Sequence, residues 1–587
     1  PKNKEAKNTA FLYAPVLVCT IDHMMAATET TRGGKYILPS LRLLSSDLVI
    51  DEVDDFGEKD LIAIGRLIHL AGMLGRKVMI SSATIPPALA EGFFNAYQAG
   101  WCLHQQFMDA SPQINCAWVD EFSTVIKPIA SAVDDTPRKD YEQHHLSVIS
   151  KRAEELKKQP IKRKGVITQC NELYESGDEN QDKGSSGQQQ QYFAHMQSAA
   201  LALHEQHHMV DEATGKKVSF GVMRVANIPP CVALTQYLMQ SDWPENFAPK
   251  IMAYHSRQVL LLRSVQEHHL DTVLKRKEPK GDTPKVFENA VIRQHLDHAA
   301  QENVLFILVA TPVEEVGRDH DFDWAVIEPS SYRSIIQLAG RVRRHRTWAV
   351  EQPNIAVMQY NLKALRQNSQ PAFTRPGYEN KSTLKLDTHN MCELINESAL
   401  NERIDALPRM IEPHPIRAKS QLADLEHQAM NNALKSYDKK GPEYLQGWIN
   451  ECWWMTALPQ AFNRFRESSP DIQLYRIWQH GEYTFSEKDD KGIVLKNIFG
   501  DVAQQHNRFN VVDAPVMNKQ ERSRLWLKRD YEHALREECG YGKADDLNEK
   551  EKGLMCKKSQ RYGEVRMPEN ESACWYSDDL GLWPKES

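Results

Sequence analysis

The chain has 587 residues, of which 26% are charged, with a net charge of -7 and a mean hydropathy of -0.56. No apolar run approaches the roughly 18 residues of a membrane helix, and the first residues lack the apolar segment of a signal peptide. Its ten cysteines include no C-x-x-C pair, which argues against a zinc ribbon or a disulfide framework. We therefore expect a cytoplasmic protein of about three to four domains, in which any nucleic-acid groove is only locally basic.

Two apolar segments near the N-terminus predict buried strands. The first, residues 15–23, contains Thr20, and a threonine at a strand end can contact a nucleic-acid phosphate. The second, residues 48–50, ends directly in the acidic string Asp51-Glu52-Val53-Asp54-Asp55. A short, continuously apolar run of this kind is typical of a strand buried on both faces of a parallel sheet.

The acidic string is the strongest candidate for chemistry. Open parallel sheets place their reactive groups beyond the carboxyl ends of their strands. There Asp51 can hold a magnesium ion, because hard cations prefer oxygen ligands. Glu52 can orient and deprotonate a water that attacks a phosphate. The alternative is a strand that ends in a solvated acidic turn.

A helix and a further strand follow the acidic string. Residues 59–74 have apolar side chains at helical spacing, and residues 77–80 predict a strand that runs into Ser81-Ser82-Ala83-Thr84. The hydroxyls of Ser82 and Thr84 can donate hydrogen bonds to the acidic motif and can therefore respond to changes in its conformation. Serine and threonine also commonly end strands, so the string alone is weak evidence. Its position after the acidic string, with a helix between them, makes it informative.

The middle of the chain predicts an insertion and then a second α/β unit. Residues 134–206 are polar, and the low-complexity stretch 176–191 predicts a disordered loop. The basic run 161–164 is most simply a solvated surface. Strands are then predicted at 218–226, 250–254, 304–310, 324–328 and 355–360, with a helix at 231–239. This alternation predicts an α/β fold with two doubly wound, parallel-sheet lobes.

The string QLAGRVRR, residues 337–344, lies between the last two strands. If it is helical, Arg341 and Arg344 lie on one face with Gln337 on the same side. Two guanidinium groups aimed in one direction suit a phosphate chain, because the planar fork of arginine binds phosphate oxygens in bidentate fashion. A basic helix on the surface is the alternative.

The residues after 382 predict a mainly helical C-terminal domain. Seven of the twelve tryptophans follow residue 440, which indicates a folded domain. Five of them are candidates for base stacking but are better explained as core: Trp448, Trp453, Trp454, Trp478 and Trp526. The predicted boundaries are 1–135, 136–212 for the connector, 213–365, 366–390 for a linker, and 391–587.

The ordered set of strings TID, DEVDD, SSAT, AYHSR, VATPVEEVGRD and QLAGRVRR resembles superfamily 2 helicases. The motifs TIDH, EVGRD and QLAGRVRRHR most resemble those of the CRISPR-associated helicase–nuclease of type I systems, in its subtype I-F form. The resemblance covers residues 10–365 by motif and the remainder by general layout.

This resemblance implies two RecA-like lobes that bind ATP and move 3′ to 5′ on single-stranded DNA. Asp51 and Glu52 would serve Mg²⁺ and the attacking water, with Asp54 linked to Ser82 and Thr84. The other implied roles concern nucleotide and DNA: Gly317, Asp319 and Gln337 for the nucleotide, Arg341 and Arg344 for its phosphates, and Thr20, Thr311 and Arg257 for the DNA backbone. An RNA-guided surveillance complex would recruit the protein, and phage-encoded inhibitors would bind it.

The sequence departs from this family in one important respect. It contains no G-x-x-x-x-G-K-[ST] phosphate loop. We therefore expect this chain to be the C-terminal part of a larger enzyme, with its first lobe incomplete and stable only with the N-terminal part. The nuclease domain and its transition metal are expected in that N-terminal part. Two alternatives stay open: a superfamily 2 motor that acts on RNA, and a non-catalytic nucleic-acid-binding scaffold.

Overall fold

The computed structural model describes residues 2–29, 34–175, 184–315, 317–366, 371–453, 456–466, 470–479, 482–489, 492–493, 510–542, 547–571 and 573–585. These form two compact units. The first comprises Pro1–Gln159, Tyr378–Asp387 and Ala406–Ser468, and the second comprises Pro160–Gly377, Thr388–Asp405 and Ser469–Ser587. No helix among the described residues is long and apolar enough to cross a membrane.

The described residues in the N-terminal part of the first unit form six α-helices and four strands. The helices are α1 (Lys2–Tyr13), α2 (Asp22–Met25), α3 (Ile37–Ser45), α4 (Glu58–Met73), α5 (Pro87–Phe107) and α6 (Thr136–Lys158). The strands are β1 (Leu48–Asp51), β2 (Val78–Ser81), β3 (Gln113–Val119) and β4 (Thr124–Ala130). Strands β1 and β2 are parallel and place Asp51 beside Ser81. The acidic string and the serine–threonine string therefore leave the sheet at the same edge, as expected for parallel strands.

Two predictions about this part of the chain are wrong. Residues 15–20 form no strand, and Val16 and Val18 are exposed there. Strand β1 is buried on one face only, since Leu48 and Ile50 are buried whereas Val49 is 64% exposed. The physical reason is the same for both: an apolar run becomes a strand buried on two faces only where neighbouring strands and a second layer cover it.

The second unit is built on a parallel sheet. Its strands are β5 (Gly165–Thr168), β6 (Met209–Val210), β7 (Lys217–Arg224), β8 (Phe247–Tyr254), β9 (Asn303–Ala310), β10 (Trp324–Ile327) and β11 (Ile355–Met358). The order is β5-β11-β10-β7-β9-β8, all parallel, with β6 antiparallel to β7. Strand β9 is buried along its whole length. The five strands predicted for this lobe, β7 to β11, are confirmed.

Helices surround this sheet in the chain order expected for a doubly wound fold. They are α7 (Asn171–Glu175), α8 (Gly184–His207), α9 (Ile228–Gln240), α10 (Leu260–Val273), α11 (Ala290–His298), α12 (Tyr332–Ala339), α13 (Leu362–Arg366), α14 (Met391–Leu394) and α15 (Glu397–Glu402). Short 3-10 turns at Lys285–Glu288 and Pro312–Glu314 complete this part. The predicted α/β fold class is confirmed, with a multi-stranded parallel sheet in the second unit and a parallel pair of strands in the first.

The segment predicted as a connector differs from expectation. Strand β5 is an edge strand of the second unit's sheet, beside β11. Helix α8 covers residues 184–191 of the stretch predicted as a disordered loop, while 176–183 lie outside the described residues. Glutamine favours helix, and buried Tyr192, Phe193 and Met196 attach α8 to the unit.

The C-terminal part contains more helix than strand, as predicted. Its helices are α16 (Leu407–Met410), α17 (Leu422–Met430), α18 (Leu445–Asn450), α19 (Pro459–Phe462), α20 (Lys519–Ser523), α21 (Tyr531–Cys539) and α22 (Glu549–Tyr562). It also contains two sheets that the sequence did not predict, with orders β14-β13-β12-β16 and β15-β17-β18. Their strands are β12 (Asp471–Gln479), β13 (Glu482–Asp489), β14 (Gly492–Ile493), β15 (Asn510–Asp513), β16 (Glu564–Pro568), β17 (Ala573–Ser577) and β18 (Gly581–Pro584).

The tryptophans of this part are largely core residues. Trp448, Trp478 and Trp526 are buried, which agrees with their assignment to the core over base stacking. Trp453 is half-buried, and Trp454 lies outside the described residues.

Candidate functional site

The carboxylate of Asp54 is the centre of a buried polar cluster in the first unit. Asp54 is 1% exposed and lies in the 3-10 turn Val53–Asp55 that follows β1. Ser82 Oγ donates a hydrogen bond to Asp54 Oδ1, and Thr84 Oγ1 donates one to Asp54 Oδ2. The structure therefore brings together three of the predicted residues, because both strings leave the parallel pair β1 and β2 at one edge.

A fourth member of this cluster, Arg409, was not predicted. Arg409 Nη1 lies 3.1 Å from Asp54 Oδ2 and 2.9 Å from Thr84 Oγ1. Its Nε lies 3.1 Å from Glu426 Oε2, and both side chains are almost fully buried. Arg409 comes from the short helix α16, and no local pattern in the sequence separates it from the other arginines.

Asp51 and Glu52 lie at the carboxyl end of β1, and both are exposed. Glu52 has φ 52° and ψ 44°, a left-handed conformation that is uncommon for residues other than glycine. Backbone outliers of this kind concentrate at functional sites, where surrounding structure holds them. The outlier turns the chain between the strand and the buried Asp54.

The exposed donor at this turn is a carboxylate, which is the kind of oxygen ligand that magnesium prefers. Within the described residues, no group of three or more His, Cys, Asp or Glu side chains is arranged to hold a metal ion. Magnesium keeps several waters and is usually bound through one or two carboxylates together with substrate phosphates. The exposed carboxylate of Asp51 fits that mode of binding.

In the second unit, the loop after β9 carries two predicted nucleotide contacts. Gly317 is exposed with φ 68°, and a Cβ built there would meet no atom within 4 Å. Asp319 accepts a hydrogen bond from Arg344 Nε at 2.8 Å and lies 3.1 Å from His345 Nε2. Partial burial opposes ionisation of Asp319, but the Arg344 hydrogen bond and the charges around it lower its pKa below the usual value.

Arg341 and Arg344 do not share a helix face, so that prediction is wrong. Helix α12 ends at Ala339, because Val342 pairs instead with Phe322 in an isolated bridge. Arg341 is 8% exposed and donates from Nη2 to the carbonyl of Glu315 at 2.7 Å. Arg344 is 40% exposed and reaches Asp319. Gln337 is half-buried on α12.

Two further arginines that support this loop were not identified as site residues. Arg224, at the end of β7, donates from Nε to Glu315 Oε1 at 2.7 Å and from Nη2 to Ser334 Oγ at 2.6 Å, inside the core. Arg163, predicted to be solvated, donates from Nε to the carbonyl of Val342 at 2.9 Å. Burial lowers its pKa to about 10. Arg224 thus holds the side chains of Glu315 and Ser334, and Arg163 holds the backbone next to the predicted Arg341 and Arg344.

The three predicted DNA contacts have different environments. Thr20 is exposed and lies two residues before the start of α2. Thr311 is only 6% exposed, so the structure does not place its side chain on the surface as predicted. Arg257 is engaged in a bidentate ion pair with Glu571, at 2.7 and 3.0 Å, so its guanidinium is not open to a phosphate as predicted. Only Thr20 is therefore presented as the prediction requires.

Comparisons with known proteins agree with the motifs. Residues 217–347 match the family model described as "CRISPR-associated nuclease/helicase Cas3, C-terminal". A CRISPR-associated nuclease/helicase Cas3 of subtype I-F/YPEST from Pseudomonas aeruginosa is 35% identical over 585 residues, 99% of this chain and 51% of the relative. The corresponding protein from Pectobacterium atrosepticum is 34% identical over 96% of this chain and 49% of the relative.

The chain thus spans about half the length of the curated relatives it matches. The solved structure described as "Crystal structure of T. fusca Cas3-AMPPNP" aligns with 99% of this chain and 56% of its own chain, with a TM-score of 0.46 and 13% identity. The matches in sequence confirm the resemblance to the CRISPR-associated helicase–nucleases of subtype I-F.

Proposed function

We propose that this chain, a relative of the CRISPR-associated nuclease/helicase Cas3 proteins of subtype I-F, works as an ATP-driven translocase on single-stranded DNA. In this role it unwinds invading DNA for a nuclease. One observation carries the proposal: the buried Asp54 is bonded to both Ser82 and Thr84, directly beside the exposed Asp51 and Glu52. A solvated acidic turn would not need a buried carboxylate held by two hydroxyls, because burying such a group is costly unless it is bonded.

In the proposed mechanism, Glu52 accepts a proton from the water that attacks the terminal phosphate, and the strained turn holds its carboxylate in place. Asp51 would hold Mg²⁺, which neutralises phosphate charge when it is bound with the nucleotide. Asp54 transmits a movement of that turn to Ser82 and Thr84 through the hydrogen bonds that their hydroxyls donate to its carboxylate. Arg344 contacts the phosphates by exchanging its ion pair with Asp319 for them, since both partners are accessible to solvent.

For the buried Arg341 we propose a role different from the one predicted. Its guanidinium donates to the carbonyls of Glu314 and Glu315. We assign it the positioning of the loop that carries Gly317 and Asp319. Thr20 remains the proposed contact to the DNA backbone, which sets position and not sequence.

The proposal extends to two kinds of partner that the resemblance to this family implies. An RNA-guided surveillance complex recruits the protein to its target, and phage-encoded inhibitors are candidate ligands. Nuclease activity and its transition metal belong to the full protein, and we assign no residue of this chain to them.

The test is magnesium-dependent ATP hydrolysis by the full natural protein that carries this sequence, with single-stranded DNA, single-stranded RNA or no nucleic acid. We expect stimulation by DNA, and a loss of about 100-fold or more in kcat for Glu52→Gln, as for the removal of a general base. Glu121→Gln, which changes an exposed carboxylate of the same unit, is the matched control. Stimulation by RNA alone, or turnover that Glu52→Gln leaves intact, would overturn the proposal.

A further inference from the structure

The segment Asn463–Arg466 of the first unit is held against elements from the beginning of the chain. Arg66 Nη2, on α4, donates to the carbonyl of Asn463 at 2.6 Å. The amide of Phe465 donates to Glu29 Oε2 at 2.7 Å. Asn463 and Phe465 are 6% and 7% exposed, so the base of this segment is anchored within the unit.

The anchor itself is an ion pair inside the unit. Arg66 Nη2 also contacts Glu29 Oε1, and the two side chains are 2% and 6% exposed. Buried pairs of this kind hold their geometry, because removal of either partner leaves an uncompensated charge. The amide of Phe465 is therefore fixed by a carboxylate that is itself fixed by α4.

Arg466 extends from this anchor in two directions. Its amide donates to Asp60 Oδ1, in the first turn of α4, at 2.6 Å. Its Nη1 donates to Asp22 Oδ2, at the start of α2, at 2.8 Å. The guanidinium carbon lies 6.0 Å from the ring centroid of Phe56, and Phe56 is 5.6 Å from the ring of Phe465.

The contacts of Arg466 lie close in sequence to both proposed functional turns, the one that binds DNA and the one that binds the nucleotide. Asp22 is two residues after Thr20, the proposed DNA contact. Phe56 is two residues after Asp54, and Asp60 follows it on α4. Arg466 thus makes a direct connection, through side chain and backbone, between the turn that meets DNA and the turn that meets the nucleotide.

We propose that Arg466 is a positioning residue that couples DNA binding at Thr20 to nucleotide hydrolysis at Glu52. The proposal rests on the function proposed above. When DNA displaces the Thr20–Asp22 turn, the ion pair moves Arg466, and its contacts with Phe56 and Asp60 move the acidic turn. Arg466 itself has φ 49°, so its backbone is held in a left-handed conformation by these contacts.

A purely structural ion pair makes a different prediction. The side chains of Arg466 and Asp22 are 54% and 42% exposed, and exposed pairs contribute little to stability. Removal of the pair should then leave the melting temperature unchanged. If the pair is only structural, its removal should also leave ATP hydrolysis unchanged. A loss of DNA stimulation would therefore indicate that the pair couples the two turns.

The experiment measures kcat for ATP hydrolysis without DNA and at saturating single-stranded DNA, in the full natural protein. The variants are Arg466→Ala, Asp22→Asn, their combination, and Arg466→Lys. Arg464→Ala is the control, because Arg464 is an exposed neighbour that carries the same charge on the same segment.

We expect Arg466→Ala and Asp22→Asn each to reduce the stimulation by DNA about three- to tenfold, with unstimulated kcat within twofold of the wild type. The combination should lose no more than either single change, and Arg466→Lys should restore part of the stimulation. Full stimulation in Arg466→Ala, an equal loss in Arg464→Ala, or losses that multiply in the combination would overturn the coupling. A wild-type protein that DNA does not stimulate would instead overturn the proposed function itself.

Discussion

Arg409 Nη1 lies 3.1 Å from Asp54 Oδ2, although 355 residues separate the two in the chain. The contact joins the acidic turn after β1 to helix α16 within the first unit. Since Arg409 also contacts Thr84 and Glu426, the acidic turn and a much later segment share one buried network.

Replacing Arg409 should therefore destabilise the first unit. We expect Arg409→Met to lower the unfolding free energy by about 3–5 kcal/mol, because it leaves the buried carboxylates of Asp54 and Glu426 without their cation. Thermal unfolding measures the effect, with Arg464→Met as an exposed control. An unchanged melting temperature would contradict the assignment of this network.

The hydroxyls of Ser82 and Thr84 should matter for coupling more than for hydrolysis. Ser82→Ala and Thr84→Val each remove one hydrogen bond to Asp54 and should cost about 1–3 kcal/mol in stability. We expect DNA unwinding to fall while ATP hydrolysis continues, because Glu52 and Asp51 are untouched. Ser81→Ala, one residue earlier, is the control. Parallel losses of hydrolysis and unwinding would argue against a relay through Asp54.

The sequence predicted those parts of the site that depend on local pattern. An apolar run ending in acids, followed by a helix and a second strand, brings Asp54 near Ser82 and Thr84 whenever the strands are parallel and adjacent. Arg409 and Arg224 could not be predicted, because their roles depend on contacts between segments far apart in the chain. The prediction that Arg341 and Arg344 share a helix face was wrong for a similar reason, because the pairing of Val342 with Phe322 ends the helix.

The two arginines of that string should consequently respond differently to substitution. We expect Arg344→Ala to reduce ATP turnover by about 10³-fold or more, as for loss of a phosphate-binding arginine, with the melting temperature unchanged. Arg341→Ala should lower the melting temperature, because it leaves the buried carbonyl of Glu315 without its donor. Turnover and thermal unfolding, measured on both variants, separate these roles. Equal behaviour of the two variants would contradict the structure.

Gly317 should be sensitive to the addition of a single methyl group. Its φ of 68° disfavours residues with a Cβ by about 1–2 kcal/mol, although the space around it is open. We expect Gly317→Ala to raise the KM for ATP severalfold. Gly215→Ala is a matched control, since Gly215 has φ 71° and equally open surroundings in the same unit. An effect of equal size on KM in both variants would remove Gly317 from the nucleotide site.

The carboxyl of Glu58, at the start of α4, should make the first unit less stable at high pH. Burial raises its pKa to about 7, and its Oε1 has no hydrogen-bond partner among the described residues. Because the folded pKa lies above the unfolded value, the stabilising contribution is complete below about pH 4.5 and is lost as the pH rises through 7. A shift of this size corresponds to at most about 3 kcal/mol.

Thermal unfolding between pH 5 and pH 8 tests this relationship. We expect the wild type to lose more stability over that interval than Glu58→Gln, whose neutral amide does not titrate. Glu121→Gln, which alters an exposed carboxylate of the same unit, should retain the wild-type dependence on pH. If Glu58→Gln and the wild type lose stability in parallel, the carboxyl of Glu58 is not the group that titrates. The burial of Glu58 beside the acidic turn then has no effect on the pH range in which the unit is folded.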